Sequence, residues 1–242
     1  MRRSSPDSQT PRQNHLLAAL PVDELERLRP HLQLTEMPLG TVLQESGDVP
    51  RYAYFPTDCI VSLLNVLEDG ASTEISVIGN EGLVGITLFM GGDSTPRRAV
   101  VQSAGYAYRL PGQVLRDEFH RSDTVRLLLL RYTQALITQM AQTVVCNRHH
   151  SVDQQLCRWL LLALDRLPTN ELTMTQELIA NMLGVRREGV TEAVGKLQRL
   201  GVIDHSRGHI TVLNRPALER LSCECYAVVK RETDRLLPYL RA

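Results

Sequence analysis

The sequence lacks a bias in charge and any long hydrophobic run. Its 242 residues include 27 basic and 27 acidic side chains, so the formal net charge is zero and the whole chain does not indicate a nucleic-acid partner. Any basic surface must therefore be local. No run of about 18 apolar residues occurs, and the two arginines near residue 1 have no apolar segment behind them, which argues against membrane spanning and secretion. We expect a cytoplasmic protein.

Sequence motifs of enzymes are also missing. The chain has no paired carboxylates in a catalytic pattern, no nucleophile elbow, no phosphate-binding loop and no His-Glu-x-x-His arrangement. We therefore expect a protein that is not an enzyme.

The cysteines do not form a disulfide framework. Their number is odd and their spacing is irregular, as expected of reduced thiols; they are Cys59, Cys146, Cys157, Cys223 and Cys225. Cys223 and Cys225 form a Cys-x-Cys pair, which needs two more ligands to hold zinc. His149 and His150 are adjacent, and neighbouring side chains on a helix point about 100° apart, so they chelate poorly. No metal site is predicted.

The length of the chain and the change of residue pattern along it predict two domains and an α+β fold. A typical domain has roughly 150 residues, so 242 residues favour two. Residues 1–14 are polar, contain two prolines and are predicted to be a disordered tail. We expect a β domain over residues 15–120, a long helix over residues 121–146 and a mainly helical domain over residues 147–242.

Residues 15–120 begin with helical spacing and continue as short strands. Five leucines around Pro21 predict two short helices. They are Leu16, Leu17, Leu20, Leu25 and Leu28. Between residues 37 and 110, runs of β-branched and aromatic residues alternate with turns such as residues 68–70 and 91–93. Short strands at regular intervals predict a small sandwich or barrel of the jelly-roll kind.

Residues 121–146 carry apolar side chains every three or four positions. The predicted stripe consists of Val125, Leu129, Tyr132, Leu136, Met140 and Val144. Further apolar residues beside it are Leu127, Leu128, Leu130 and Ile137. One surface can therefore pack on the β domain and another on a second copy of the chain, as in a coiled coil, which makes this a dimerisation helix. The alternative is a core helix buried within one chain.

Residues 175–213 have the pattern of two helices, a turn and a wing. Thr175 is a good N-cap for the first helix, and Gly184 stands where a tight turn needs a positive φ. The second helix is predicted from about Arg186 to Leu200. Its inward stripe is Val190, Val194 and Leu197. Two short strands around the turn at residues 204–209 complete the wing.

The outward side chains of the second helix indicate DNA binding. A recognition helix places its N-terminal residues on base edges in the major groove, where arginine pairs with guanine and glutamate accepts from cytosine. Arg187 and Glu188 are placed for this role. The predicted DNA contacts are Thr175, Gln176, Arg186, Arg187, Glu188, Thr191, Glu192, Lys196 and Arg207. The alternative is a three-helix core that needs the same small residues and binds no DNA.

The segment TQELIANMLGVRREGV, residues 175–190, resembles the helix-turn-helix of the Crp/Fnr family, including the pair Arg187 and Glu188. A second pattern is similar to the early strands of the family's β-roll: Pro38, Gly40, Leu43, Gly47, Asp48, Tyr54 and Phe55. The resemblance covers residues 15–230. It implies an N-terminal β-roll (jelly roll) of the cyclic-nucleotide-binding type, a long dimerisation helix and a C-terminal winged helix-turn-helix.

The function that the resemblance implies is sequence-specific regulation of transcription. We expect a homodimer on near-palindromic double-stranded DNA, with RNA polymerase as a further partner. One position departs from the family's pattern. Glu192 stands where the cyclic-AMP receptor protein carries a second base-reading arginine, so the operator sequence should differ.

The effector that the β-roll would sense is less clearly indicated. In cyclic-nucleotide-binding relatives, a Gly-Glu-Leu run and a later Arg-Ser or Arg-Thr pair hold the ribose and the cyclic phosphate. The counterparts here give Glu81, Arg97 and Arg98 as effector candidates, but Arg98 stands where a hydroxyl is expected, which argues against cyclic AMP. A different nucleotide-like anion is one alternative, and two solvated arginines are the other.

A second function remains open from the sequence. The β-roll could bind an effector while the DNA-binding domain is vestigial, and such a protein would form no tight DNA complex.

Overall fold

The computed structural model describes residues 5–206 and 208–238. A β-rich domain comes first, a long helix follows, and a mainly helical domain with a small sheet completes the chain. This order matches the predicted α+β organisation.

The N-terminal segment is ordered where a disordered tail is predicted. Two short 3-10 helices, Pro6–Ser8 and Pro11–Gln13, precede helices α1 (His15–Ala18) and α2 (Val22–Leu28). The amide of Asn14 is fully buried and donates to the carbonyl oxygens of Pro56, at 2.9 Å, and Gly82, at 2.8 Å. The tail prediction is therefore wrong for residues 5–14, because long-range hydrogen bonds hold this polar segment. Residues 1–4 lie outside the described residues.

The two short helices confirm the prediction made from the leucines. All five predicted leucines are buried, and they join the core of the β domain. Asn14 caps α1, because its side-chain oxygen accepts the backbone N–H groups of Leu16 and Leu17.

The β domain consists of two antiparallel sheets. The strands are β1 (Gln33–Met37), β2 (Val42–Gln44), β3 (Tyr52–Pro56), β4 (Ile60–Val66), β5 (Ser72–Ile78), β6 (Arg97–Ser103) and β7 (Gly105–Pro111). One sheet has the order β1-β7-β3 and the other the order β2-β6-β4-β5. Helices α3 (Thr87–Met90) and α4 (Gly112–Arg121) flank the sheets. The aliphatic side chains between the sheets form the first core of the molecule.

The long helix α5 (Asp123–His149) has 27 residues and begins at the N-cap Ser122. Its first half packs as predicted, with Val125, Leu129, Tyr132 and Leu136 buried against the β domain. The predicted stripe fails at Val144, which is 68% exposed. Near the C-terminal end of α5, Thr143 accepts a hydrogen bond from Arg158 of α6 at 2.8 Å and Cys146 contacts Cys223 at the start of α10, so these two residues take the buried positions there.

The C-terminal domain contains five helices and a three-stranded sheet in the described part of the chain. The elements are α6 (Val152–Leu164), β8 (Glu171–Thr173), α7 (Gln176–Leu183), α8 (Arg187–Arg199), β9 (Ile203–Ser206), β10 (His209–Val212), α9 (Arg215–Leu221) and α10 (Glu224–Leu236). The sheet order is β8-β10-β9, so the predicted two-stranded wing has a third strand, β8. Helices α6, α7 and α8 enclose a second core.

The two domains contact each other through β5 and the turn that follows it. The indole N–H of Trp159 in α6 donates to the carboxyl group of Glu74 in β5, at 2.9 Å. The guanidinium of Arg166, just beyond α6, forms an ion pair with Glu81 at 2.7 Å. Helix α7 also packs against β5. The position of the C-terminal domain is therefore fixed partly by the β domain.

None of the helices in the described ranges is long and apolar enough to cross a membrane.

Candidate nucleic-acid interface

Helices α7 and α8 form the predicted helix-turn-helix. The hydroxyl of Thr175 accepts the backbone N–H of Leu178 at 3.2 Å, which caps α7. Gly184 has a φ of +66° and ends the helix, and the N–H of Val185 then bonds to the carbonyl oxygen of Ala180 at 3.0 Å. Each of these features matches the prediction from the sequence, because helix caps and tight turns depend on local residue chemistry.

Helix α8 has one buried face and one exposed polar face. Val190, Val194 and Leu197 are at most 2% exposed, as predicted. The side chains of Arg186, Arg187, Glu188, Thr191, Glu192 and Lys196 are exposed. Within the described residues, the side chains of Arg186, Arg187 and Glu188 have no hydrogen-bond or ion-pair partner. The N-terminal end of α8 thus offers unpaired polar groups to a ligand.

Two of the predicted DNA contacts bind each other. The hydroxyl of Thr191 lies 2.7 Å from the amide oxygen of Gln176 and 3.0 Å from the carbonyl oxygen of Arg187. The contact joins the first turn of α7 to the exposed face of α8. It keeps the N-terminus of α7, whose dipole favours a phosphate, beside the N-terminal half of α8.

Lys196 has a partner that the sequence did not reveal. Its ammonium group forms an ion pair with Asp153 in the first turn of α6, and the hydrogen bond that it donates to Asp153 raises the pKa of Lys196. Lys196 remains exposed, but its charge is partly neutralised. A phosphate would have to compete with Asp153 for this side chain.

The wing is the hairpin of β9 and β10. Ser206 pairs with His209 at the tip and Ile203 pairs with Val212 at the base. Gly208 in the turn has a φ of +80°, which favours glycine. Arg207, a predicted DNA contact at this tip, lies outside the described residues.

The interdomain cavity that Glu81 lines does not include the other two effector candidates, Arg97 and Arg98. Glu81 accepts the backbone N–H of Gly79 at 3.0 Å in addition to its ion pair with Arg166, and it lines a small interdomain cavity of about 150 Å³. Arg97 and Arg98 lie on β6, opposite Asn65 and Leu64 of β4. Glu81 therefore contacts the C-terminal domain, whereas Arg97 and Arg98 lie in the β sheet.

Arg98 also has a partner of its own. Its Nε lies 3.1 Å from a carboxylate oxygen of Glu45, and both side chains are partly exposed. Arg97 is half-buried at the start of β6.

A cluster of cysteine and histidine side chains was missed by the sequence analysis. The ligand atoms of Cys146, His150, Cys223 and Cys225 all lie within 4.8 Å of one another. The signal that could have found half of it is the spacing of Cys146 and His150, four residues apart at the end of α5, which places both on one side of a helix. In the sequence, the adjacent histidines and the Cys-x-Cys pair at Cys223 and Cys225 stand apart, and each alone is too small a set of ligands. Only the fold brings residues 223 and 225 to the same place.

Two family models match the chain in the order of its domains. The model of the cyclic nucleotide-binding domain matches residues 34–122, and the model of the Crp-like helix-turn-helix domain matches residues 154–221. The first match contains all seven strands of the two-sheet β domain except the first residue of β1, and the second contains α7, α8 and the wing.

Proteins of similar sequence and structure are regulators. The global nitrogen regulator of Synechococcus elongatus is 21% identical over 198 residues, which cover 78% of this chain and 89% of that protein. The crystal structure of a Crp/Fnr-family regulator from Eubacterium rectale is 19% identical, has a TM-score of 0.66, and aligns over 85% of this chain and 96% of its own.

A third comparison is with the c-di-GMP responsive global regulator CLP of Xanthomonas campestris. It is 18% identical, with a TM-score of 0.62 over 79% of this chain and 99% of that one. At these identities the solved structures establish a shared fold. Together with the two matched domains, they show that the chain belongs to the Crp/Fnr family and has the architecture of a transcription regulator rather than of an enzyme.

Proposed function

We propose that this protein regulates transcription by inserting α8 into the major groove of DNA. The observation that carries the proposal is the division of α8 into a buried apolar face and an exposed end with the unpaired side chains of Arg186, Arg187 and Glu188. In this arrangement Arg187 donates to a guanine and Glu188 accepts from a cytosine. The capped N-terminus of α7, at Thr175 and Gln176, lies toward the phosphate backbone.

The regulator acts as a homodimer in this proposal. Several apolar side chains on α5 are exposed: Leu127, Leu130, Ile137, Val144 and Val145. Leu130, Ile137 and Val144 are spaced by seven residues, and Leu127 lies three residues before Leu130, which is the spacing of a coiled-coil seam. A second copy of α5 covers this face.

A symmetric dimer fixes the form of the operator. Two α8 helices related by a two-fold axis contact half-sites about one helical turn, roughly 34 Å, apart, so the operator is near-palindromic. RNA polymerase is the further partner that we propose, because the architecture is that of a transcription regulator. We propose the cytoplasm as its location, since the protein must reach genomic DNA.

The test of the proposal is binding to genomic fragments, followed by footprinting. We expect tight binding to a subset of fragments and protection with two-fold symmetry. Arg187→Ala should weaken operator binding by about 1–3 kcal/mol, or about 5- to 150-fold, and leave binding to random DNA nearly unchanged. Arg29→Ala, an exposed arginine of the N-terminal domain, is the matched control and should bind as the wild type does.

Two results would contradict the proposal. Equal losses on operator and random DNA for Arg187→Ala would exclude base reading by this residue. Absence of any tight complex across the genomic fragments would favour the alternative of a vestigial DNA-binding domain.

Cyclic AMP does not fit the residues of the β domain. Glu81 is engaged by Arg166 and Gly79, Arg98 is engaged by Glu45, and the interdomain cavity that Glu81 lines includes neither Arg97 nor Arg98. We propose instead that the β domain senses a nucleotide-like anion of another shape near the start of β6, where Arg97 and Arg98 supply positive charge on opposite faces of the strand. The similar regulator of Xanthomonas campestris is described as c-di-GMP responsive, which supports a test of larger nucleotides.

Calorimetry with cyclic mononucleotides and cyclic dinucleotides tests the effector proposal. We expect one of the larger nucleotides to bind the wild type and to bind at least 10-fold more weakly to the variant Arg97→Ala/Arg98→Ala. Binding that survives in this variant, or no binding by the whole panel, would contradict it. Neither result bears on DNA binding by α8, which is measured separately.

A further inference from the structure

The end of the long helix and the start of the last helix bring four metal-binding side chains together. Cys146 lies in the last turn of α5 and His150 is the residue that ends this helix. Cys223 is the N-cap of α10 and Cys225 lies in its first turn. The three cysteines are at most 5% exposed and pack on one another as a separate buried cluster.

The distances within the cluster are those of ligands around a single ion. The sulfurs of Cys146 and Cys223 are 3.5 Å apart, and the sulfur of Cys225 is 3.6 Å from Nδ1 of His150. A tetrahedral zinc ion, with bonds of about 2.3 Å to sulfur and about 2.0–2.1 Å to nitrogen, spaces two sulfurs about 3.8 Å apart and sulfur and nitrogen about 3.6 Å apart. These two distances need to change by only a few tenths of an ångström, and the remaining pairs, all within 4.8 Å, need to close by at most about 1 Å.

A second layer of contacts orients the histidine. Nδ1 of His150 faces Cys225, while Nε2 lies 3.3 Å from a carboxylate oxygen of Glu224. A metal-bound histidine usually directs its other ring nitrogen to a carboxylate or a carbonyl, which fixes its tautomer and orientation. The contact between His150 and Glu224 supplies this arrangement from within the chain. In the tautomer whose Nε2–H donates to Glu224, Nδ1 has a lone pair for a cation.

We propose that Cys146, His150, Cys223 and Cys225 form a structural site for one divalent zinc-type cation. Three thiolates and one imidazole favour Zn²⁺ over the hard cations Mg²⁺ and Ca²⁺, which prefer oxygen. Because all four ligand atoms lie within 4.8 Å of one another, the site has room for one ion. Binding displaces one proton from each of the three thiols, and these protons go to solvent.

The proposed metal site lies at the junction of α5 and the DNA-binding domain. His150 lies directly between α5 and the N-cap of α6, Ser151, so it marks the joint between the dimerisation helix and the DNA-binding domain. A metal ion there ties this joint to the start of α10. Gln155 of α6 further donates to the carbonyl oxygen of His150, at 2.9 Å. The ion therefore restrains the orientation of the DNA-binding domain relative to α5.

The proposal is tested on the full chain, purified under reducing conditions and stripped by a chelator. Titration with Co²⁺ alone should give one ion per chain, with the intense near-ultraviolet absorption of thiolate–cobalt bonds and the visible bands of tetrahedral Co²⁺. Added Zn²⁺ should displace the cobalt. Cys225→Ala and Cys223→Ala/Cys225→Ala should lose the signal, whereas the control Cys59→Ala, at a buried cysteine of the β domain, should keep it.

Two outcomes would overturn the proposal, and the first needs no variant. A wild-type chain that takes up no stoichiometric Co²⁺ or Zn²⁺ excludes the site, and so does cobalt absorption that persists in the double variant. If the cysteine variants do not fold, as judged by circular dichroism, His150→Gln provides the second measurement. It should retain the thiolate bands but bind Co²⁺ at least 10-fold more weakly, and unchanged affinity would exclude His150 as a ligand.

Discussion

At the scale of single residues, the buried carboxyl group of Glu74 has the largest expected effect on stability. It lies between the domains, 2.5 Å from the hydroxyl of Ser62 and 2.9 Å from the indole nitrogen of Trp159. Burial raises the pKa of Glu74 to about 7. A protonated Glu74 donates to Ser62, whose own hydroxyl then donates to Gln102 at 2.7 Å. The proton of the Glu74 carboxyl group and the proton of the Ser62 hydroxyl thus each have an acceptor.

We predict that Glu74 makes stability depend on pH. The folded protein keeps a proton on Glu74 that the unfolded chain releases above its pKa of 4.5. The stabilisation is therefore fully present below pH 4.5 and is lost as pH rises through about 7, by up to roughly 3 kcal/mol.

The variant Glu74→Gln tests this dependence, because its amide donates to Ser62 and accepts from Trp159 at every pH. Urea unfolding between pH 5 and 8 should show a flatter profile for Glu74→Gln than for the wild type, and greater stability than the wild type at pH 8. Glu177→Gln, at an exposed glutamate of α7, should keep the wild-type slope. Parallel profiles for wild type and Glu74→Gln would show that Glu74 is ionised in the folded protein.

We further predict that Glu192 helps to select the operator. Its side chain is exposed on the same face of α8 as Arg187 and Glu188, where a carboxylate favours cytosine and an arginine favours guanine. Glu192→Arg should change the preferred base at one position of each half-site, with discrimination of about 1–3 kcal/mol. Selection from a random DNA library measures the change. An unchanged consensus would place Glu192 away from the bases.

Single-residue predictions from the sequence held where the cause is local. Thr175 as a cap, Gly184 in the turn and the buried Val190 follow from helix chemistry and spacing. The ion pairs of Lys196 and Glu81 could not be predicted, because their partners lie 43 and 85 residues away in the chain. Sequence spacing carries no information about such partners.

At the scale of elements, the turn between α7 and α8 meets two demands at once. Gly184 adopts a left-handed φ of +66°, and a Cβ atom there would lie 2.9 Å from the hydroxyl oxygen of Thr73 in β5. The turn thus has to be tight and also close to the β domain. The tight turn was predicted from the sequence, but its closeness to the β domain was not.

Substitution Gly184→Ala should therefore destabilise the protein by more than backbone strain alone. The left-handed conformation costs about 1–2 kcal/mol for an alanine, and the contact with Thr73 adds to it. Thr73→Ala should recover only the contact part in the double variant, as measured by urea unfolding of the four proteins. If the double variant shows no recovery, the domains do not approach as closely as described.

Helix α5 shows the same limit of sequence analysis. Its length and apolar spacing were predicted, but Leu128 lies in the buried face and Val144 in the exposed one, which is the reverse of the prediction. The predicted apolar stripe assumes that one face of the helix is buried along its whole length, whereas α5 packs on the β domain at one end and on α10 at the other.

The exposed face of α5 leads to a prediction about association. Ile137→Glu places a charge at a position that is 56% exposed in one chain and buried in the proposed dimer. We expect light scattering to show a monomer, with operator binding at least 10-fold weaker. Leu67→Glu, at an equally exposed leucine of the β4–β5 turn, should remain dimeric. A dimeric Ile137→Glu protein would place the interface elsewhere.

At the scale of the whole molecule, the relation between the domains is what the sequence could not supply. Family resemblance predicted both domains and their order, because each carries its own local motifs. The contacts that join them run from β5 and the following turn to α6 and α7, between residues about 70 to 120 positions apart. Gly79 in this turn serves those contacts, since a Cβ atom there would collide with Arg166, whereas a Cβ atom at Gly82 would collide with Tyr132 of α5.

The ion pair of Glu81 and Arg166 is the interdomain contact that mutation can test most directly. Arg166 is buried and Glu81 is mostly shielded, at 6% and 12% exposure, so removing one partner leaves an uncompensated charge and should cost about 3 kcal/mol. Glu81→Gln keeps an acceptor for the N–H of Gly79 and isolates the loss of charge. Arg166→Met removes the opposite charge. The double variant leaves no buried charge and should be more stable than either single variant.

A double-mutant cycle in urea therefore separates an interdomain role of Glu81 from an effector role. Strong coupling between the two substitutions is the expected result, and the exposed pair of Arg29 and Glu26 should give coupling below about 1 kcal/mol. If Glu81 instead served an effector, the substitutions would act additively on stability, and only Glu81→Gln would change nucleotide binding. Because Arg166 directly follows α6, loss of this pair should also loosen the DNA-binding domain, visible as faster amide exchange in α6 and α7.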